Sequence, residues 1–446
     1  MHDYNNTDTE EYPIIHPLRT FNYKPEFVDI AAGEGIYVTD TNGKRYIDAI
    51  SGLWNVSLGY NNKKINRAII EQLEKISFIN LYENGNPTTI EFAKRLLQVV
   101  PNGLNKVIYT CSGSESVEVA IKIARKFYKL SGKNEKRFFA VMDLSYHGTT
   151  YGAMSASGMD RSCIDDYGPC LEGFNLLATP FCTCCDTNEM SDECKKKAIA
   201  SIEELFSSKG EQLAGIILEP VIGSGGIIPL PNWYIQRVKE LCKEYNVLVI
   251  FDEVATGFGR TGSLFAVEQL DIMPDIICLS KGINSGYIPM GAVVISNRIF
   301  CTYSNNNSYI EHFSTQNGNP LACAAGLATL DLVDDKLMLE RVKNLGNLLL
   351  EKLRENLLGN RNVVDIRGRG LMVGVQLRGT TNSCLTSNQI HELCIKIRNK
   401  GLIVYPFYIY PRISGFSLFP SFVATEQDIL RIVSIFCTEL KRYRFM

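Results

Sequence analysis

Three apolar runs that end on charged residues constrain this chain most: Gly215-Ile-Ile-Leu before Glu219, Val247-Leu-Val-Ile-Phe before Asp252, and Ile276-Ile-Cys-Leu-Ser before Lys281. Continuous apolar runs of this length are what strands buried on both faces require, and such strands belong to largely parallel sheets covered by helices. Ligands of open sheets of this kind bind outside the carboxyl ends of the strands. Two carboxylates and an amine at successive strand ends therefore face one crevice. Further strands are expected at Val107–Cys111, Phe138–Met142 and Ala292–Ile295.

Amphipathic helices alternate with these strands. Residues 115–129 put Val117, Ala120, Ile121, Ala124 and Tyr128 on one face, and residues 233–245 do the same with Tyr234, Val238, Leu241 and Tyr245. Near the N-terminus, residues 33–49 read as a hairpin turning at Asn42-Gly43, a pair suited to the positive φ of a tight primed turn. After about residue 330 the pattern changes. A long helix (Leu337–Leu358), strands at Val363–Ile366 and Leu371–Leu377, a helix near 388–400, a strand at Leu402–Tyr405 and a last helix opened by Thr425-x-x-Asp428 form a smaller α+β unit. The expected division is an N-terminal segment 1–59 that joins the small domain and the site entrance, a large domain 60–330 and a small domain 331–446.

The 446 residues, 45% of them hydrophobic and 21% charged, are enough for a large core and exclude a disordered or stapled scaffold. A net charge of −2 leaves no electrostatic footprint for nucleic acid or an anionic membrane, so a small-molecule partner is expected. No run reaches the roughly 18 apolar residues of a membrane span, and the start, Met1 to Glu11, lacks the cationic and apolar regions of a signal peptide. Of the 14 cysteines, Cys242, Cys278, Cys323 and Cys437 lie in apolar stretches, where a thiol behaves as a small hydrophobe. A cytoplasmic protein with reduced thiols is expected. Cys182, Cys184, Cys185 and Cys194, with Cys163 and Cys170 upstream, have the ligand number of a zinc site without a clean pair of C-x₂-C units, and no metal is expected.

Two more stretches bear on chemistry. In Tyr109-Thr-Cys-Ser112-Gly113-Ser114-Glu115 a strand runs into a helix through a capping box, so free N–H groups and the positive helix end are ready for a phosphate, although many capped βα turns look the same. Tyr146-His147-Gly148 follows another strand: the tyrosine can lie against a planar ring or belong to the core, and His147 can be structural. An amine, a carboxylate, an anion-binding turn and an aromatic at one crevice are what pyridoxal phosphate needs. Its aldehyde condenses with a lysine, its phosphate takes N–H donors, and a buried aspartate keeps its ring nitrogen protonated.

Ile250-Phe-Asp-Glu-Val-Ala-Thr-Gly-Phe-Gly-Arg-Thr-Gly262, Pro274-Asp-Ile-Ile-Cys-Leu-Ser-Lys-Gly282 and Gly286-Tyr-Ile-Pro-Met-Gly291 strongly resemble the class III pyridoxal-phosphate aminotransferases, the ω-aminotransferases, from about residue 30 to the C-terminus. The resemblance implies a fold-type-I transferase, with a mostly parallel sheet between helices in a large cofactor-binding domain and a smaller α+β domain. It implies that Lys281 bonds to the cofactor aldehyde and shuttles the proton, and that Asp252 pairs with the ring nitrogen. Val254 and Tyr146 would cover the two ring faces, with His147 also beside the cofactor. Gly113 and Ser114 would hold the phosphate, and Glu219 would be oriented near the cofactor. Phe313-Ser-Thr315-Gln-Asn-Gly-Asn-Pro320 resembles the segment whose threonine reaches the phosphate of the neighbouring subunit, which implies a homodimer with Thr315 acting in trans. Trp54 matches a tryptophan lining the substrate entrance in the amine:pyruvate branch.

The chain departs from that branch in two places. Gly318-Asn319-Pro320 stands where Gly-His-Pro is usual, and Tyr405 stands where many members carry the arginine for the substrate carboxylate, in front of a lengthened loop to Pro420. Arg412 in that loop is the expected anchor for an acceptor carboxylate, with Tyr405 shaping the amine side. The resulting expectation is transfer of an amino group from a primary amine or ω-amino acid to a keto acid such as pyruvate. Related class III racemases, aminomutases and phospho-lyases share the lysine and the aspartate, and a non-catalytic binding protein is the remaining alternative.

Overall fold

The computed structural model describes residues 14–18, 28–159, 161–182, 190–380 and 383–445, without the side chains of residues 162 and 163. Its centre is a seven-stranded sheet in the spatial order 104–110, 291–296, 276–279, 248–252, 213–218, 138–142, 174–177. Strand Gly291–Ser296 is antiparallel to both neighbours, and the other pairings are parallel, as the continuous apolar runs imply. Strands Leu213–Leu218 and Leu248–Asp252 are buried at every position. The edge strand Phe174–Leu177 was not expected: it is short, includes Asn175 and buries only Leu177 fully, so it carries no apolar run.

Helix Gly113–Leu130 packs Val117, Ala120, Ile121, Ala124 and Tyr128 inward, and helix Asn232–Glu244 packs Tyr234, Val238 and Leu241. The N-terminal hairpin is present (Ile30–Glu34, Tyr37–Asp40, Arg45–Asp48), but its turn is not a two-residue primed turn. Only Gly43 has a positive φ, of 81°, and the Asp40 carboxylate closes the loop by accepting from the N–H groups of Asn42 and Lys44. This hairpin extends through Ile47–Asp48 into a parallel pairing with Leu402–Ile403 near the other end of the chain.

Beyond residue 330, helix Lys336–Leu357 starts on an Asp335 cap, and helix Glu426–Arg442 starts on the Thr425/Asp428 capping box. The stretch expected as one strand, Leu402–Tyr405, is split. Leu402–Ile403 joins the N-terminal sheet, while Tyr405–Ile409 pairs antiparallel with Ile413–Leu418. What reads as a long loop to Pro420 is therefore a hairpin. Pro406 is tolerated there because its strand is the edge of the small sheet. No described helix is long and apolar enough to cross a membrane.

Candidate active site

In the register of the central strands Val141 pairs with Ile217 and Leu218 with Phe251, so Asp143, Glu219 and Asp252 come level at the carboxyl end of the sheet. Lys281 stands just past the next strand, in a turn where its own φ is 44°. A side chain rarely adopts that left-handed backbone, and such outliers gather at functional sites. Its amine lies 4.6 Å from the centre of the Trp54 ring. Burial lowers the pKa of this amine, against the pull of Asp252 and Glu219, which favours the neutral, nucleophilic form.

Asp252 is 5% exposed. Its Oδ2 lies 2.8 Å from His147 Nδ1, and its Oδ1 accepts the Val254 N–H at 3.0 Å. His147 thus sits behind the aspartate, within the protein. Burial alone would depress the imidazole pKa, but the hydrogen bond and charge of Asp252 outweigh it and leave it raised. Glu219 Oε1 accepts the Tyr146 N–H at 3.0 Å and Oε2 the Gly223 N–H at 2.9 Å, so the carboxylate fixes the start of the Tyr146 loop. Burial, and then Asp252, push its pKa up.

The anion-binding turn has the expected shape with one difference. Ser112 Oγ accepts the Glu115 N–H at 3.1 Å, but the Glu115 carboxylate bonds the Cys111 N–H at 2.7 Å instead of completing a capping box on Ser112. Among the described residues nothing accepts the N–H of Gly113 or Ser114. Val254 packs on Gly113 so closely that a Cβ there would lie 2.7 Å from its Cγ1. Unpaired helix N–H groups, a buried carboxylate backed by an imidazole, and a part-buried amine with lowered pKa fit the phosphate, ring nitrogen and aldehyde of pyridoxal phosphate.

Trp54 is the centre of an aromatic wall. Phe419 stacks on it at 4.5 Å and 4°, and Tyr405 meets it edge-on at 5.6 Å. A Cβ at Gly223 would come within 2.9 Å of the indole, so glycine there lets the ring seat. Tyr146 lies on the same side, its phenol pKa raised by burial and then by Tyr405, Asp252 and Glu219.

Residue by residue, the structure brings Lys281, Asp252, His147, Glu219, Val254, Tyr146, Gly113, Ser114, Trp54 and Tyr405 into one region. Thr315 is exposed on the chain's surface, one residue beyond Ser314, which bonds Glu115. Arg412 is at the tip of the 405–418 hairpin, four strand steps and so about 13 Å from Tyr405. Its Nη1 donates to Asp143 Oδ2 at 2.8 Å, which puts it at the rim of the crevice with its charge already matched. Phe419 is not legible in the sequence, because no local pattern links it to Trp54. Neither is Glu253, a fully buried acid whose carboxylate takes the Ala266 and Val267 N–H groups and the Thr256 hydroxyl, anchoring the loop after Asp252. Burial pushes the Glu253 pKa up to about 7. Cys182 and Cys194 place their sulfurs 3.3 Å apart, while Cys184, Cys185 and the Cys163 side chain lie outside the described residues.

Residues 20–440 match the model of the class-III aminotransferase family. The chain belongs to that family. It is 36% identical over 402 residues to the adenosylmethionine-8-amino-7-oxononanoate aminotransferase of Staphylococcus aureus, covering 88% of each chain. Among solved structures it is similar to an aminotransferase of Bacillus anthracis (TM-score 0.91, 31% identity, 98% of this chain and 97% of that one). It is likewise similar to a thermostable (S)-enantioselective ω-transaminase from Thermomicrobium roseum (TM-score 0.89, 31% identity, 98% and 97%). This class III aminotransferase is a fold-type-I enzyme that uses pyridoxal phosphate, as the resemblance of its motifs implied.

Proposed function

We propose that this aminotransferase takes its amino group from a primary amine or ω-amino acid and passes it to a keto acid such as pyruvate, in two half-reactions at Lys281. The observation that carries this reading is the Trp54 ring 4.6 Å from the Lys281 amine, backed by the fully buried Phe419 and met edge-on by the part-buried Tyr405, which surrounds the reacting amine with rings and one neutral phenol in place of a cation. An amine with no carboxylate next to its reacting carbon buries no unpaired charge there. When bound, pyridoxal phosphate supplies the aldehyde that receives the amino group and the ring that draws electrons from the substrate carbon. Lys281 Nζ, once freed by the donor, would take a proton from that carbon and deliver it to the carbon that had been the cofactor's aldehyde, so that water can then release the substrate as its carbonyl product. Asp252, held by His147, would set its negative charge beside the ring nitrogen and so keep that nitrogen protonated.

A second reading is favoured by the position of Arg412. The relatives named for 8-amino-7-oxononanoate act, by that name, on an oxo acid whose carboxylate is remote from its carbonyl. A guanidinium at the rim suits such a carboxylate better than one bonded directly to the reacting carbonyl. Its ion pair with Asp143 is half-exposed and so worth roughly 1 kcal/mol at most, which makes exchange for a substrate carboxylate cheap. Stopped-flow half-reactions separate the two readings. Arg412→Ala is expected to lower kcat/KM for the acceptor about tenfold to a hundredfold and to leave the half-reaction with a carboxylate-free amine within about twofold. A drop with pyruvate supports the short acceptor, and a drop only with a long-chain 7-oxo acid supports the remote carboxylate. No drop with either removes Arg412 from recognition.

We further infer a homodimer in which Thr315 completes the partner's phosphate site. Thr315 itself is exposed, and next to it Tyr82 and Phe313, 77% and 55% exposed, meet edge to face at 6.2 Å. Apolar rings left open in this way suit a covered surface. Mixing inactive Lys281→Ala with an inactive Thr315 variant is expected to recover activity, because one of the two sites in each heterodimer regains both residues. Verified heterodimers without recovery would return Thr315 to its own subunit or to no role.

A further inference from the structure

The segment 309–314, just before Thr315, has no helix or strand of its own. It is strapped along one face of helix Gly113–Leu130. Lys126 Nζ donates to the Tyr309 carbonyl at 2.5 Å, Lys122 Nζ to the Glu311 carbonyl at 2.9 Å, and Glu115 Oε1 meets His312 Nε2 at 2.7 Å and the Ser314 hydroxyl. Positions 115, 122 and 126 share one helix face, so the strap is gripped along most of the helix and ends at the Gly113 N-terminus. The last grip is the odd one. A carboxylate in the first turn opposes the phosphate expected at Gly113 and Ser114, and by Coulomb's law alone its removal should improve phosphate binding.

We propose that Glu115 and His312 are positioning residues that fix the strap so that Thr315 is presented rigidly as a phosphate ligand. The proposal rests on the reading of Thr315 given above. The Glu115–His312 contact is well suited to it: both side chains are close to buried, at 13% and 14% exposure, and the other Glu115 oxygen is tied to the Cys111 N–H. One carboxylate thus joins the backbone before the phosphate helix to the loop that delivers Thr315. Burial would raise its pKa, yet the Ser314, Cys111 and His312 bonds outweigh this and hold it below the usual carboxylate range. It stays an anion that accepts on both oxygens, which is what a clamp needs.

The test is the dissociation constant of pyridoxal phosphate for the apoenzyme, titrated by absorbance and independent of turnover. Glu115→Ala is expected to weaken binding about tenfold, Glu115→Gln to recover most of it by keeping an acceptor and a donor, and His312→Leu to weaken it severalfold with the Cys111 contact intact. In a Thr315→Ala background Glu115→Ala should add less than about twofold, since both substitutions remove the same contact. Tighter binding by Glu115→Ala, or full additivity with Thr315→Ala, overturns the proposal and leaves the Thr315 reading standing. If Thr315→Ala alone leaves binding unchanged, the Thr315 reading itself falls. Should Glu115→Ala not fold, His312→Leu decides: unchanged affinity in it overturns the clamp.

Discussion

Lys281→Ala is expected to abolish turnover, by about 10⁴-fold or more, and to leave the purified protein without the cofactor adduct that borohydride fixes on the wild type. The reason lies in where the amine sits. The ring of Trp54 at 4.6 Å and the carboxylates of Asp252 and Glu219 all favour an ammonium, and burial opposes them. Burial wins, so the pKa falls and the neutral amine that attacks an aldehyde is more available than on an exposed lysine. The backbone of Lys281, held at a φ of 44°, aims that amine from the strand end and is itself a cost accepted only where the surroundings fix it. Alanine at this position would remove, in one change, the amine proposed as both nucleophile and proton carrier. Tryptic mapping of the reduced wild type checks the assignment directly: the label should be on the Lys281 peptide, and a label on any other lysine would overturn every role given to the strand-end residues.

Much of this site is legible from the chain because its parts are local. Each strand that delivers Glu219, Asp252 and Lys281 is a continuous apolar run, and the charged residue follows at once. The anion turn is legible for the same reason, down to the Ser112 cap. What the sequence hides depends on register or on distant packing. His147 stands beside Tyr146 in sequence, yet only the ordering of strands brings its Nδ1 to Asp252, 105 residues away. Phe419 stacks on Trp54 through a hairpin whose Pro406, Pro411 and Gly415 read as loop residues. Glu253 looks like a surface acid between an aspartate and a valine, but two backbone N–H groups and a hydroxyl are folded around it. Arg412 illustrates the converse. Its residue type suits a carboxylate anchor, and the structure gives it one already, in Asp143.

Asp252→Asn is expected to lower kcat about 10³-fold while the Lys281 adduct still forms, so that borohydride labelling survives and turnover does not. The side chains are nearly isosteric, so the change isolates the charge. The substituted amide would still accept the Val254 N–H through its oxygen, but it would carry no negative charge toward a protonated ring nitrogen, and His147 would lose the anion that holds its pKa up. With that partner gone, burial is left in command of the imidazole and drives it toward the neutral form. The sign of the pH effect follows. Because the folded-state pKa of His147 is raised above its unfolded value near 6.5, the stabilisation from the His147–Asp252 pair is complete below about pH 6.5 and is lost as pH rises through the folded value. Unfolding of the apoenzyme, measured from about pH 6 to about pH 9, should therefore show the wild type's advantage over Asp252→Asn shrinking as pH rises. A pH-independent difference would mean that the pair contributes shape alone. A variant that keeps wild-type kcat would take Asp252 away from the ring nitrogen altogether.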